Sequence, residues 1–212
     1  MAPETPRPGF RLYVVTDRHQ TAGRPLVEVI AAAARGGLGA VQLREKDLSA
    51  RELYDLGASL QAALTPFKVP LLVNDRIDVA LALDAAGVHL AGHSLSTRAA
   101  RRVLGPDKLL GVSTHSLDAA RQAAHEGADF VVFGPVFATP SKLAYGPPQG
   151  MPLLAEVARQ VPVPVIAIGG INPANLRQVM QAGAHGVAMI RAVLAAPDPC
   201  AATRELCRLL AE

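Results

Sequence analysis

The stretch Gly127-Ala128-Asp129-Phe130-Val131-Val132-Phe133 decides the fold. A turn of small residues leads directly into four apolar residues with no polar face, the pattern of a strand covered on both sides. The same handover recurs at Gly39-Ala40-Val41, Ala86-Gly87-Val88 and Gly183-Ala184-His185, a weak internal repeat. Working outward, apolar runs at Arg11–Thr16, Ala40–Leu43, Leu71–Val73, Val88–Leu90, Leu109–Val112, Phe130–Phe133, Val165–Ile168 and Gly186–Ile190 read as buried strands.

The longer segments between these runs read as helices. Pro25–Arg35 has proline at a first-turn position and stops at Gly36-Gly37. Ser96-Thr97 and Ser116 are helix caps, and the helices they open stop at Gly105-Pro106 and Gly127. Pro173 opens a helix that ends at Gly183. Eight strands alternating with helices in 212 residues predict an α/β fold, a (β/α)8 TIM barrel in a single compact domain. An open doubly wound sheet would use fewer strands, and no G-x-G-x-x-G follows the first strand. Residues 1–10, rich in proline, are expected to form a disordered lead-in, with the barrel over residues 11–212.

Half the residues are apolar and 18% are charged, enough to bury a core, but aromatics are 4% with no Trp. Ala, Val and Leu must therefore fill most of it. The net charge of +3 suits an anionic small molecule such as a phosphate ester. It is too small an excess, with too few aromatics, for a nucleic-acid binder. Cys200 and Cys207 lie two helical turns apart and match neither a redox pair, a disulfide framework nor a metal knuckle, as expected of a reducing cytoplasm. No run approaches the roughly 18 apolar residues of a membrane span, and the N-terminal stretch lacks the pattern of a signal peptide. A cytoplasmic protein without membrane or nucleic-acid partners is expected, and a homodimer is the expected assembly.

In such a barrel, residues just past each strand's C-terminal end share one rim, the active-site face. Gln42-x-Arg44-x-Lys46 alternates with period two and directs an amide and two cations to one side, an anion clamp. Asn74-Asp75 closes the third strand, where the carboxylate serves either as a metal or ring ligand or as a helix cap. Gly169-Gly170 ends the seventh strand before a helix start, a place where backbone N–H groups approach a phosphate, and Arg191 adds a cation after the eighth. Lys142 lies in the long irregular stretch 137–151, a natural lid. Ser113 and Thr139 are further rim hydroxyls. His89, His93 and His115 fall near the rim, where each could carry protons near neutral pH; His19, His125 and His185 are assigned no role.

Gln42-Leu43-Arg44-Glu45-Lys46, Asn74-Asp75-Arg76, Gly87-Val88-His89-Leu90, Gly111-Val112-Ser113-Thr114-His115, Gly134-Pro135-Val136-Phe137 with Thr139 and Lys142, and Ile168-Gly169-Gly170-Ile171 occur in this order. Together they resemble the thiamine phosphate synthase and TenI superfamily, over the chain from about Arg11 onward. The resemblance implies a (β/α)8 barrel that binds a thiazole phosphate. In the synthase branch it implies pyrophosphate held by Gln42, Arg44, Lys46, Asn74, Ser113 and Lys142, Mg²⁺ on Asp75, and the thiazole phosphate at Thr139, Gly169 and Gly170. The chain departs from that branch at Ala91-Gly92-His93-Ser94, where synthases usually read Gly-Gln-x-Asp and use that Asp as a second Mg²⁺ ligand. Together with Arg191, where synthases usually carry Ser, this resembles the TenI branch. The expected function is therefore a TenI-type thiazole tautomerase, which aromatises a thiazole phosphate carboxylate by proton transfer without metal or other cofactor. The tautomerase type carries His where this chain has Pro135, so the proton falls to His89, His93, His115 or Asp75. Two alternatives stand beside it: a Mg²⁺-dependent thiamine phosphate synthase, and a non-catalytic thiazole or thiamine phosphate binder.

Overall fold

The computed structural model describes residues 8–139 and 147–212. In chain order the elements are β1 (Leu12–Val15), α1 (Leu26–Arg35), β2 (Ala40–Leu43), α2 (Ala50–Leu64), β3 (Leu71–Asn74), α3 (Ile77–Ala82), β4 (Gly87–Leu90), α4 (Thr97–Leu104) and β5 (Leu109–Thr114). They continue with α5 (Leu117–His125), β6 (Phe130–Phe133), α6 (Gly150–Gln160), β7 (Val165–Ile168), α7 (Leu176–Gln181), β8 (Gly186–Met189), α8 (Arg191–Leu194) and α9 (Pro199–Ala211). The strands are all parallel and close in sequence order, β8 pairing with β1 through Val14 and Met189. The α/β reading and the (β/α)8 barrel are the observed fold.

Alternation along each strand sorts the apolar residues into two cores. One side of every strand packs on the helices, in a layer that includes Val14, Val41, Val73, Val88, Leu110, Val131, Ala167 and Val187. The other side fills the barrel with Tyr13, Val15, Ala40, Leu72, Phe130, Val132, Ile166 and Ala188. Phe10, assigned by its sequence position to the lead-in, belongs to this inner core and is buried. Its ring lies 5.2 Å from that of Tyr13 and meets Phe130 edge-on at 5.4 Å, a favoured aromatic geometry. The ordered barrel thus begins before residue 11, and Phe10 stops its N-terminal end. Gly39 makes room for it, since a Cβ there would sit 2.8 Å from Phe10 Cβ and 2.9 Å from the Leu12 carbonyl oxygen.

The caps expected from sequence form: Ser96 accepts the Ala99 N–H, and Ser116 the Ala119 N–H. Helix α2 carries a full capping box, Ser49 with Glu52. Helix α7 begins at Leu176 rather than at Pro173. Asn172 and Asn175 hold the intervening turn, with the Asn175 side chain accepting the Asn172 N–H and Asn172 accepting the Ala174 N–H. Local side-chain bonds of this kind compete with helix initiation.

On the face opposite the rim, Arg101 of α4 staples two loops, α4–β5 and α5–β6. Its guanidinium donates to the carbonyls of Gly105, Lys108 and Gly127 and to the buried Asp129 carboxylate at 2.6 Å. Burial pushes the Asp129 carboxyl up, opposed by the Leu110 N–H and Arg101. Arg101→Ala leaves that carboxylate buried without its cation and is expected to destabilise the chain by about 3 kcal/mol, read as a lower urea midpoint.

Candidate functional site

The side chains at the C-terminal ends of the strands divide by polarity. Inward positions on β2 to β5 end in Gln42, Asn74, His89 and Ser113, and Arg44 follows Gln42 on the same side by the period-two rule. On β6 to β8 the matching positions are Val132, Ile168 and Ala188, with Ile190 beyond. Half of the mouth is thus polar and half apolar.

The polar half is built on the aromatic floor. The Gln42 side-chain amide donates to the Tyr13 hydroxyl at 3.1 Å, and both are buried. Burial holds the Tyr13 phenol well above its ordinary range, so it stays neutral. His89 is also buried, with Nε2 2.8 Å from Ser113 Oγ and Nδ1 without a partner among the described residues. Burial pushes its pKa down to about 3, with Arg44 lowering it further and Asp75 opposing.

The exits of β1 and β2 are braced together. The Thr16 hydroxyl accepts the Arg44 N–H at 2.9 Å. Glu45 faces the other way and is buried, accepting the Arg18 backbone N–H and its guanidinium, which also grips Asp47 at 2.5–2.6 Å. Anchoring Glu45 fixes the backbone between Arg44 and Lys46. A cavity of about 270 Å³ lies beside them, lined by Glu45, Lys46, Asn74, Asp75, Arg76 and His93 over Leu43, Leu48 and Leu53.

Asp75 adopts a left-handed backbone, φ 60°, and its carboxylate is held from several sides. Asn74 Nδ2 donates to Oδ2 at 2.9 Å; the Ala91 N–H and the Ser94 hydroxyl donate to Oδ1; His93 Nε2 is 3.3 Å from Oδ2. Asp75 therefore does not cap α3. A single carboxylate held toward a cavity suits a hard cation such as Mg²⁺, which needs one or two carboxylates plus substrate phosphates. Among the described residues there is no cluster of three or more acidic, His or Cys side chains. The exposed His93 makes the longest polar side-chain contact and is the one a cation would displace.

Gly169 and Gly170 both have positive φ, 101° and 67°. Cβ atoms there would lie 2.6 Å from Pro135 and from Phe137, so glycine lets the β7 exit lie flat on the β6 exit. Thr139 is at the end of that segment, and its Oγ1 is buried without a partner among the described residues. Arg191 is exposed and is the first residue of α8, whose leading N–H groups have no intrahelical acceptor. By the β7–β8 register, Ile168 opposite Ala188, the start of α8 follows the strand next to the glycines, while Asn175 before α7 donates to the Gly170 carbonyl at 3.0 Å. Lys142 lies outside the described residues.

The three rim histidines are not gathered. His93 and His115 are exposed, with His115 Nδ1 bonded to the Gly134 carbonyl, while His89 is buried. A neutral His89 with so low a pKa is poorly matched to proton transfer near neutral pH. Sequence reading missed Tyr13, Arg18 and Arg76; of these, Arg76 was legible from its place beside Asp75.

Residues 12–193 match the family model described as thiamine monophosphate synthase. The chain belongs to this family. The thiamine-phosphate synthase of Roseiflexus castenholzii is 50% identical over 201 residues, covering 95% of this chain and 88% of that protein. A putative thiamine-phosphate synthase of Geobacter sulfurreducens is 48% identical, covering 95% and 94%. The solved thiamine phosphate pyrophosphorylase of Pyrococcus furiosus superposes with a TM-score of 0.87 at 37% identity, over 95% of this chain and 96% of that one. These relatives overturn the expectation of a TenI-type tautomerase and an isomerase. In sequence, the stretch with Ser94, together with Arg191, points to the TenI branch; in the structure the Ser94 hydroxyl donates to Asp75. No helix among the described residues is long and apolar enough to cross a membrane.

The His89 environment sets a pH dependence. The unfolded chain protonates this imidazole near pH 6.5 and the folded chain only near 3, so stability falls as pH drops through that window. Between pH 7.5 and 5, the unmodified chain is expected to lose about 2 kcal/mol more than His89→Gln, measured by urea unfolding. Equal losses would show that His89 is protonated in the fold.

Proposed function

We propose that this chain is a thiamine-phosphate synthase, joining an aminopyrimidine pyrophosphate to a thiazole phosphate. The observation that carries this is the divided mouth. Gln42, Asn74 and Ser113 face inward on one half with Arg44 next after Gln42, Lys46 shares a cavity wall with Asp75, and Gly169, Gly170 and Thr139 follow the apolar strands of the other. One half suits a pyrophosphate, the other a ring carrying a single phosphate. The names of the family relatives support the same reading.

In this reaction the bond from the pyrimidine methylene to pyrophosphate breaks, and its electron pair leaves with the pyrophosphate. The thiazole nitrogen lone pair then forms the new C–N bond, with no change of oxidation state. Arg44 and Lys46 receive the growing negative charge, and Gln42, Asn74 and Ser113 orient the phosphate oxygens. Lys142 would add a third cation. Asp75, kept in place by Asn74, Ser94 and the Ala91 N–H, would hold Mg²⁺. Magnesium bound there supplies positive charge at the leaving group. Gly169, Gly170 and Thr139, with Arg191 close by in sequence to the first turn of α8, would hold the thiazole phosphate.

Incubating the purified chain with both substrates and Mg²⁺ tests this directly. Thiamine phosphate and one equivalent of pyrophosphate are the expected products. Binding of the thiazole phosphate without product would make the chain a binding protein. Arg44→Ala loses a charge-assisted contact and is expected to raise KM for the pyrophosphate-bearing substrate about ten- to a hundredfold in steady-state kinetics.

A further inference from the structure

His89 is the one buried imidazole against the polar half of the mouth, and no step above uses it. It stands on β4 against the rings of Tyr13 and Phe130, whose centroids lie 5.9 and 6.0 Å away, with Nε2 on Ser113 Oγ. In so closed a place the ring is neutral and carries one N–H. The position of that proton follows from packing on β5. An ideal Cβ built at Gly111 would fall 2.3 Å from the Phe130 ring and 2.7 Å from His89 Nδ1, so this nitrogen is crowded by the Gly111 Cα hydrogens and the Phe130 edge and has no acceptor among the described residues. A lone pair tolerates C–H neighbours, whereas an N–H would meet hydrogen against hydrogen and find no acceptor. Nδ1 is therefore the bare nitrogen, and Nε2–H donates to Ser113 Oγ.

A serine hydroxyl has one donor and two acceptor positions. With a lone pair of Ser113 occupied by His89, the Ser113 proton is turned away from the imidazole. Ser113 is half-buried at the end of an inward-facing row, so the open direction is the barrel mouth. We propose that His89 is a positioning residue that fixes Ser113 as a hydrogen-bond donor to the anion bound in the polar half of the mouth. The inference rests on reading that half as the pyrophosphate site. The opposite tautomer would make Ser113 donate inward and offer only lone pairs to an anion.

The test has two arms. In the full-length chain labelled with ¹⁵N-histidine, NMR locates the His89 proton; it is expected on Nε2, and a proton on Nδ1 overturns the inference. In the second arm, calorimetry measures inorganic pyrophosphate binding with Mg²⁺. Ser113→Ala and His89→Phe are each expected to weaken binding about tenfold, and the double variant no more than either alone. His89→Gln, which keeps an N–H donor, is expected to retain most of the affinity and covers the case in which His89→Phe fails to fold. A further tenfold loss in the double variant overturns the coupling. If the unmodified chain binds no pyrophosphate, the anion-site reading fails, and with it the anion-directed role of Ser113; the NMR arm then still decides the tautomer.

Discussion

An eight-stranded parallel barrel must fill its own interior, and this chain does so with very few aromatic rings. Phe10, Tyr13 and Phe130 interlock at the N-terminal end, and every side chain above them rests on that floor. The floor is apolar except for one phenol, and Gln42 satisfies it. From there one side of the interior becomes polar in a single step, with Gln42, Asn74, His89 and Ser113 forming the next layer on β2 to β5. Precise placement of these groups is a packing result: a buried polar layer is stable only when its members are bonded, and a bonded layer cannot drift.

The rim also depends on groups whose partners lie within the fold. Glu45 is an acid between Arg44 and Lys46, and would offset their positive charge if it faced the mouth. Strand alternation turns it outward, and Arg18 neutralises it there. Asp75, on the wall of the same cavity, is held instead by neutral donors and an exposed histidine, with no cation paired to it. Two carboxylates in the same rim are thereby separated, one structural and one available.

The architecture was legible because each apolar run ends in a turn of small residues, and the runs are too apolar to be one-sided strands. The rim was legible because barrel geometry assigns strand ends to one face, so Gln42, Arg44, Asn74, Asp75 and Ser113 could be named without coordinates. Burial of Phe10 was not legible, since nothing local distinguishes a plug from a lead-in; the fit depends on Gly39, far along the chain. The start of α7 was misplaced because Pro173 is a good first-turn residue, and the Asn172–Asn175 turn that delays the helix is made by side chains. The tautomerase expectation failed at Ser94. A residue was judged by what it replaced, whereas its hydrogen bond to Asp75 shows what it does.

The polar half of the mouth comes from one unbroken length of chain, β2 through β5, and the glycine-bearing half from another, β6 through α8. With β1, whose Tyr13 supports Gln42, counted in the first length, the barrel is two cassettes joined at two seams, β5–β6 and β8–β1. The seams are parallel backbone ladders, indifferent to side-chain identity at the rim. Each cassette can change its ligand chemistry by drift in its own exits without re-registering the other, which gives a small barrel two independently variable grips on one fixed frame.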